Sequence, residues 1–358
     1  MTFMSGGIYD FGLKRSSFQS DEPLRSIMPE NAPRDEAIRP LAPGQRDIGL
    51  VGLIANPRSH RNSGRTSSWQ KHPDVIGYAP TTRPELHDVL SLFARRGIDV
   101  LAIDGGDGTV RDILTCAGDL WGRSWPDILV LPTGKTNALA RDLGVPSWTI
   151  AEALDAARTG KTVGRSPMEI APVDAPDRVV RGFIFGAGAF VDATALAQRT
   201  HRAGAYNGMA VGLALAWGVG QTLFGGNDSD WRVGSRMALS FGARAERMHG
   251  ATPDGVARRY LLLASTLHRL PLGLKPFGSV RPGLKTLVVD APPRNVATTA
   301  ARLLAGSQSI GLERRGYHRV DADRVVVDIE SGFVLDGETF PPGAYQIREA
   351  APLNFVTA

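Results

Sequence analysis

The sequence predicts an α/β N-terminal domain built on a parallel sheet, followed by a second, β-rich, sandwich-like domain. Three observations predict it. The chain has 358 residues, about twice a common domain length of ~100–200. Up to residue 160, short apolar runs alternate with stretches of helical period, as in a parallel sheet covered by helices. After Lys161 that alternation gives way to successive strand-like runs with two helical interruptions. Composition agrees. Hydrophobic residues make up 42% and charged residues 22%, ordinary globular values that exclude a collagen, a coiled coil and a wholly disordered chain. The single cysteine, Cys116, excludes an intrachain disulfide and a cysteine zinc cluster, and fits a reducing compartment.

Residues 1–47 mix acidic, basic, Pro and Ser residues without a continuous apolar core, so they read as a disordered or loosely docked extension and not a secretory signal. The α/β domain is expected over 48–160. Ile48 to Ala55 is an apolar run ending at Asn56-Pro57, a buried strand entering a loop. Val75 to Tyr78 is a second strand. Glu85 to Arg96 places Leu86, Val89, Leu90 and Phe93 on one helical face, and Gly97 ends that helix. Ile98 to Ile103 is a third strand running into Asp104-Gly105-Gly106-Asp107-Gly108-Thr109, with a helix over Val110 to Cys116. Asp127 to Leu131 is a fourth strand, followed by Pro132-Thr133-Gly134-Lys135-Thr136-Asn137 and a helix from Ala138. Ile150 to Arg158 is a last helix. Ligands of such sheets bind beyond the carboxyl ends of the strands, where all three polar loops fall.

The β-rich domain is expected over 161–334, with strands at Val179 to Phe185, Met237 to Ala243, Tyr260 to Thr266, Thr286 to Val289 and Arg324 to Ile329. Helical stretches lie near Ala195 to Thr222 and Val296 to Leu304. Residues 335–358 form a C-terminal segment expected to return to a cleft between the domains. Ala203 to Asn227 carries no charge and is long enough to span a bilayer. Seven glycines and the polar Asn207 and Gln221 dilute it, so it reads as a buried or membrane-facing helix.

The chemistry concentrates in the loops. Gly105, Gly106 and Gly108 let backbone N–H groups turn toward a phosphate, and the helix that follows adds the positive end of its dipole. Asp107 is suited to accept a proton or to hold Mg²⁺ in phosphoryl transfer. The plain alternative is a glycine turn with a capping Asp.

This loop resembles the signature of the diacylglycerol kinase catalytic-domain family, which includes sphingosine, ceramide and bacterial lipid kinases. Three further matches follow the family's order. Asn56-Pro57-Arg58-Ser59 with Gly64 is similar to its first loop. Leu131 to Asn137 with Ala140-Arg141 is similar to its Pro-x-Gly-Thr-x-Asn loop, and Leu335-Asp336-Gly337-Glu338 to its Asp-Gly-Glu motif. The resemblance covers Ile48 to Phe355. It implies an ATP-dependent lipid kinase that uses Mg²⁺ and binds nucleotide between two domains, with metal ligands left unknown. It implies nucleotide contacts at Asn56, Arg58, Thr81, Gly105, Gly106, Asp107, Gly108, Thr109, Gly134, Lys135 and Asn137. Catalytic roles fall to Asp107 and Glu338. Thr81 and Thr82 have a plain alternative as helix caps, and Asp336-Gly337 as a hairpin turn. Gly186 to Ala193 resembles a substrate-side segment in which Asp192 orients the lipid hydroxyl or caps a helix. Phe183, Phe185, Phe190 and Tyr206 to Phe224 line an acyl pocket or a plain core.

Several positions depart from the family pattern. Lys135 stands where Thr is usual, either against ATP phosphates as a point charge or in solvent. Ala138 replaces a helix-start Asp. Asp112 stands for Glu, and His60 to Ser63 lengthen the first loop and add Arg61. Arg281-Pro282-Gly283 replaces the acidic segment that holds a structural Mg²⁺ in bacterial members, so that metal is not expected. The long first loop and the altered positions at Lys135 and Ala138 lean the acceptor toward ceramide or a sphingoid rather than diacylglycerol. NAD kinase shares the glycine loop but needs an Asn-Asn-Glu tripeptide that is absent here; phosphofructokinase shares the loop as well, but its Gly-Thr-Ile-Asp-Asn-Asp run is also absent from this chain. A non-catalytic lipid- or nucleotide-binding protein is the rival of another class. The net charge of +5 suits an anionic ligand or membrane and does not call for nucleic acid. The expected setting is cytoplasmic, with peripheral contact to anionic membrane near Arg199 and Arg202, and a homodimer is compatible with it.

Overall fold

The computed structural model describes residues 47–59, 72–202, 233–248, 256–294, 296–309 and 311–358. The expected extension over 1–46, Arg61 and Gly64 in the first loop, and the uncharged stretch from Ala203 lie outside these residues.

The first unit forms from the alternating pattern. Strands β1 (Val51–Ala55), β2 (Val75–Tyr78), β3 (Val100–Gly105) and β4 (Asp127–Pro132) pair in parallel in the order β2-β1-β3-β4. Every residue of β1 is buried, as a continuous apolar run must be when both sheet faces are covered. Val51, Leu53, Val100, Ala102 and Leu129 meet Leu154, Ala157 and Val356 in one core. Between the strands run α1 (Arg83–Arg96), α2 (Asp107–Ala117), α3 (Ala138–Leu143) and α4 (Ile150–Thr159). Gly97 ends α1 in the left-handed conformation, and Thr149 and Glu152 form a capping box at the start of α4.

Two strands complete this sheet. β5 (Thr162–Arg165) pairs antiparallel with the C-terminal strand β18 (Leu353–Val356), which pairs in parallel with β4. The sheet is therefore parallel with one antiparallel edge. The buried carboxylate of Asp142 in α3 receives Arg165 Nε of β5 at 2.6 Å.

The second unit comprises Ser166–Ala351. Its strands are β6 (Met168–Pro172), β7 (Val180–Gly182), β8 (Ile184–Gly188), β9 (Ser235–Phe241), β10 (Glu246–Arg247), β11 (Val256–Ser265), β12 (Lys285–Asp290), β13 (Tyr317–Asp321), β14 (Arg324–Ile329), β15 (Phe333–Leu335), β16 (Glu338–Phe340) and β17 (Gly343–Glu349). Its helices are α5 (Ala189–Arg202) and α6 (Val296–Leu304). Among the described residues the strands form one continuous sheet. The long strand β11 joins its two arms. Arg259 back to Val256 pairs with β9, and Leu261 to Ser265 pairs with β8, while the pairing of β11 with β12 shifts register between Arg259 and Leu261. Phe333 anchors the core, stacked on Phe185 at 4.8 Å and Phe340 at 4.9 Å, with Tyr345 edge-on at 4.8 Å.

The packing draws its boundaries differently from the sequence reading. The first unit runs through Arg165 and regains only Pro352–Ala358. The Asp336–Glu338 turn stays with the second sheet, because β15 pairs with β8. Helix α5 starts at Ala189, not near Ala195, so Asp192 falls inside its first turn.

Candidate functional site

In the first unit, three loops leave the carboxyl ends of β1, β3 and β4 and lock into one another. Asn56, at the end of β1, donates from Nδ2 to Thr109 Oγ1 at 2.8 Å. Its Oδ1 accepts the Arg58 N–H at 2.9 Å, an Asx turn that shapes the first loop. Thr133 donates to Asp104 Oδ1 at 2.8 Å, and its hydroxyl lies 3.0 Å from that of Ser59. Thr133 has one proton, so Ser59 is the donor of that second bond. Ser59, Asp104 and Thr133 were not among the expected site residues. Asp104, a carboxylate late in an otherwise apolar strand, was the signal for them.

The second and third loops touch at glycines. A Cβ on Gly106 would lie 2.9 Å from Gly134 Cα, closer than side-chain carbons approach. Only Gly fits both places, because neither backbone can retreat from its own strand. Asn137 closes the third loop in a left-handed conformation, φ 49°. Its Nδ2 donates to Gly134 O at 2.9 Å and to Pro132 O at 3.3 Å. Its Oδ1 is buried beside the two glycines and has no hydrogen-bond partner.

Asp107 ties α2 to α3. Its Oδ2 accepts the Ala138 N–H at 2.9 Å and its Oδ1 the Leu139 N–H at 3.1 Å. Burial raises its pKa above the ordinary aspartate value, while those N–H groups and the Arg141 charge act in the opposite direction. The helix-start carboxylate that Ala138 lacks is thus supplied from the neighbouring loop. The start of α2 itself, at Gly106, makes no side-chain cap bond, and a helix start left uncapped by its N-cap residue suits an anion. Inside α2, Arg111 is 2% exposed and bonds Asp112 Oδ1 at 2.6 Å, so Asp112 serves that pair.

The other expected residues stand apart from this knot. The Arg58 and Lys135 side chains are exposed. Thr81 donates its N–H and hydroxyl to Glu85 Oε2 at 2.7 and 3.1 Å, and Thr82 caps α1. Both threonines therefore act at the helix start. The Arg83 carbonyl lies 3.9 Å from the Cys116 thiol, so Thr81 sits toward the end of α2 opposite Asp107.

In the second unit, Asp336 and Gly337 both have positive φ, 45° and 85°, in the two-residue turn joining β15 to β16. The Asp336 carboxylate accepts the N–H groups of Phe183 and Ile184, each at 2.9 Å. Asp336 is thus a clamp on the β7–β8 junction. Glu338 follows at the first position of β16, partly buried. Asp192 is exposed in the first turn of α5, where the helix dipole favours an acid. Phe183 and Phe185 are core residues. Among the described residues, no three His, Cys, Asp or Glu side chains group as a metal site, and no helix is long and apolar enough to cross a membrane.

Comparison with known proteins gives the same pattern a family. Residues 51–170 match the diacylglycerol kinase catalytic domain. Human diacylglycerol kinase iota is 33% identical over 135 residues, 36% of this chain and 12% of the human protein. A Bacillus subtilis diacylglycerol kinase is 37% identical over 81 residues, 23% of this chain and 25% of that one. The chain thus matches only a minor part of each curated relative's length. A diacylglycerol kinase structure from Bacillus anthracis shares the fold, with TM-score 0.57 and 15% identity over 88% of this chain and 98% of that one. A second Bacillus anthracis structure gives 0.60 at 16% identity, covering 88% and 99%. Residues 51–170, which carry the interlocked loops, are thus similar to a diacylglycerol kinase catalytic domain, and the chain shares the fold of the bacterial diacylglycerol kinase structures.

Proposed function

We propose that this protein transfers the γ-phosphoryl group of ATP to the primary hydroxyl of a membrane lipid alcohol, with diacylglycerol as the first acceptor to test. The observation that carries the nucleotide half is the buried, unpartnered Oδ1 of Asn137 beside the Gly106–Gly134 contact and the uncapped start of α2. An unsatisfied buried carbonyl oxygen is expensive unless a ligand donates to it, and a nucleotide amino group or ribose hydroxyl is such a donor. The α2 N–H groups suit its phosphates. Similarity to the diacylglycerol kinase catalytic domain supports the lipid half. The curated relatives are described as diacylglycerol kinases, and one reason for leaning toward ceramide, the missing carboxylate at Ala138, is met by Asp107.

In the reaction the bond from the γ-phosphorus to its bridging oxygen breaks and a bond to the lipid oxygen forms. The hydroxyl proton passes to a carboxylate. We assign that proton to Glu338, the carboxylate of the Asp-Gly-Glu motif, since the Asp107 carboxylate is engaged at the start of α3. Asp107 then acts as a positioning residue. Mg²⁺ offsets phosphate charge in such transfers and is usually held by one or two carboxylates plus phosphate and water.

The test is purified full chain with labelled ATP and Mg²⁺, offered diacylglycerol, monoacylglycerol, ceramide and sphingosine separately in mixed micelles. Labelled phosphatidic acid is expected. Label in ceramide alone would restore the sphingoid reading. Nucleotide binding with no labelled lipid would favour the non-catalytic alternative.

A further inference from the structure

We infer that the loop between β11 and β12, residues 266–284, docks the second unit on the surface of an anionic phospholipid bilayer. Its biological sense rests on the lipid-kinase reading; its physics does not. The loop contains no Asp or Glu, and it carries Arg269, Lys275 and Arg281 together with His268. Two of the large hydrophobic side chains exposed among the described residues belong to it, Leu272 at 59% and Val280 at 55%. Arg269 and Lys275 are exposed beside them in sequence.

The exposure of these side chains is built in. Leu272 has φ 61° and ψ 15°, a left-handed conformation that a leucine adopts only when its surroundings impose it. The loop is pinned from within. Phe277 packs with Leu287, Leu303 and Leu312. Arg281 holds Asp321 through two bonds of 2.5 and 2.6 Å and the carbonyls of Phe277 and Ser279 at 2.8 and 2.9 Å. Lys285, 2% exposed, donates to the carbonyls of Gly283, Arg281 and Thr266 at 2.7, 3.1 and 3.3 Å. Arg319 donates to Pro276 O at 2.7 Å. An ordered loop that keeps two aliphatic side chains outside, carries the exposed cations Arg269 and Lys275 and has no acid of its own, with Arg281 already matched by Asp321, complements a negatively charged lipid surface. Two separate aliphatic tips are too small for a stable protein interface, which buries on the order of 1,000 Å² or more.

The experiment is sedimentation of the full chain with vesicles of phosphatidylcholine, with and without phosphatidylglycerol, in the absence of ATP. The wild type should bind the anionic vesicles and be released by salt. Leu272→Asn keeps the left-handed backbone favourable and should weaken binding about tenfold or more, the weight of one buried leucine side chain. Lys275→Gln should weaken it about fivefold at low salt. The thermal midpoint of each variant shows that it is folded. Wild-type binding by both folded variants would overturn the inference. So would a loss of self-association in Leu272→Asn, seen by analytical ultracentrifugation, with vesicle binding unchanged. Phosphorylation of a dispersed short-chain lipid, measured in parallel, separates the two readings. Vesicle binding that depends on Leu272 without kinase activity would sink the lipid-kinase reading and leave this one standing.

Discussion

Replacing Asp107 by Asn tests the joint between the second and third loops. Asp107 accepts one backbone N–H on each carboxylate oxygen, from Ala138 and Leu139. An amide has a single acceptor oxygen, so one of those N–H groups would face the new NH₂. A hydrogen bond to a charged acceptor contributes about 1.5–3 kcal/mol, and an orphaned buried donor costs about 1–3 kcal/mol. The neutral amide is spared part of the desolvation that raises the Asp107 pKa, which offsets some of that loss. A net destabilisation of about 1–3 kcal/mol is expected, which lowers the midpoint of a unit this size by roughly 2–12 °C. The pH dependence has a definite sign. With its pKa raised by folding, Asp107 binds more protons in the native state than unfolded, so stability falls as pH rises from the ordinary value of 3.8 through the folded pKa. The Asn variant should lack that slope. The assays are thermal unfolding across pH and steady-state kinetics well below the midpoint. Displacement of α3 and Asn137 should raise the Michaelis constant for ATP. A variant with an unchanged midpoint and an unchanged ATP constant would show that Asp107 does not hold the start of α3.

Four further outcomes follow from the same geometry. Gly134→Ala sets a Cβ 2.8 Å from Asn137 Oδ1 and closer still to Gly106 Cα; overpacking of about 1–3 kcal/mol should appear in urea unfolding together with weaker ATP binding, and a neutral result would mean that the loops do not touch. Glu338→Gln should lower kcat by about 10²–10⁴ with the ATP constant and the unfolding midpoint unchanged; near-normal turnover would remove Glu338 as the base. Lys135→Ala, at an exposed position, should leave the midpoint unchanged and raise the ATP constant roughly tenfold, with Lys135→Thr recovering part of it; an unchanged constant places the side chain in solvent. Asp336→Ala strips the acceptors from Phe183 and Ile184 and should cost about 2–4 kcal/mol in urea unfolding, with Asp336→Asn costing less; equal stability in all three would dismiss the clamp.

The first unit was largely legible because its signals are local. Val75–Tyr78 coincides with the stretch that predicted it, as does Val296–Leu304 in the second unit. The three loops were found because Gly, Pro and Asn in fixed order constrain the backbone wherever they occur. Thr81 shows the opposite case. A threonine after a strand suits both a nucleotide and a helix start, and only the 2.7 Å bond from its N–H to Glu85 distinguishes them. Asp107 was recognised as a carboxylate that matters, but its two partners lie about thirty residues away in α3.

Composition and residue order by themselves determined the α/β-then-β architecture and the places of the glycine-bearing loops at the strand ends, because each rests on hydrophobic period or on backbone freedom. Tertiary structure alone decided that Pro352–Ala358 completes the first sheet, and that Asp336 is a clamp while Glu338 follows it on a strand. It also decided that Leu272 stands outside in a left-handed turn. Those depend on which distant backbone groups are left needing a partner once the strands have paired, and no local stretch of sequence carries that information.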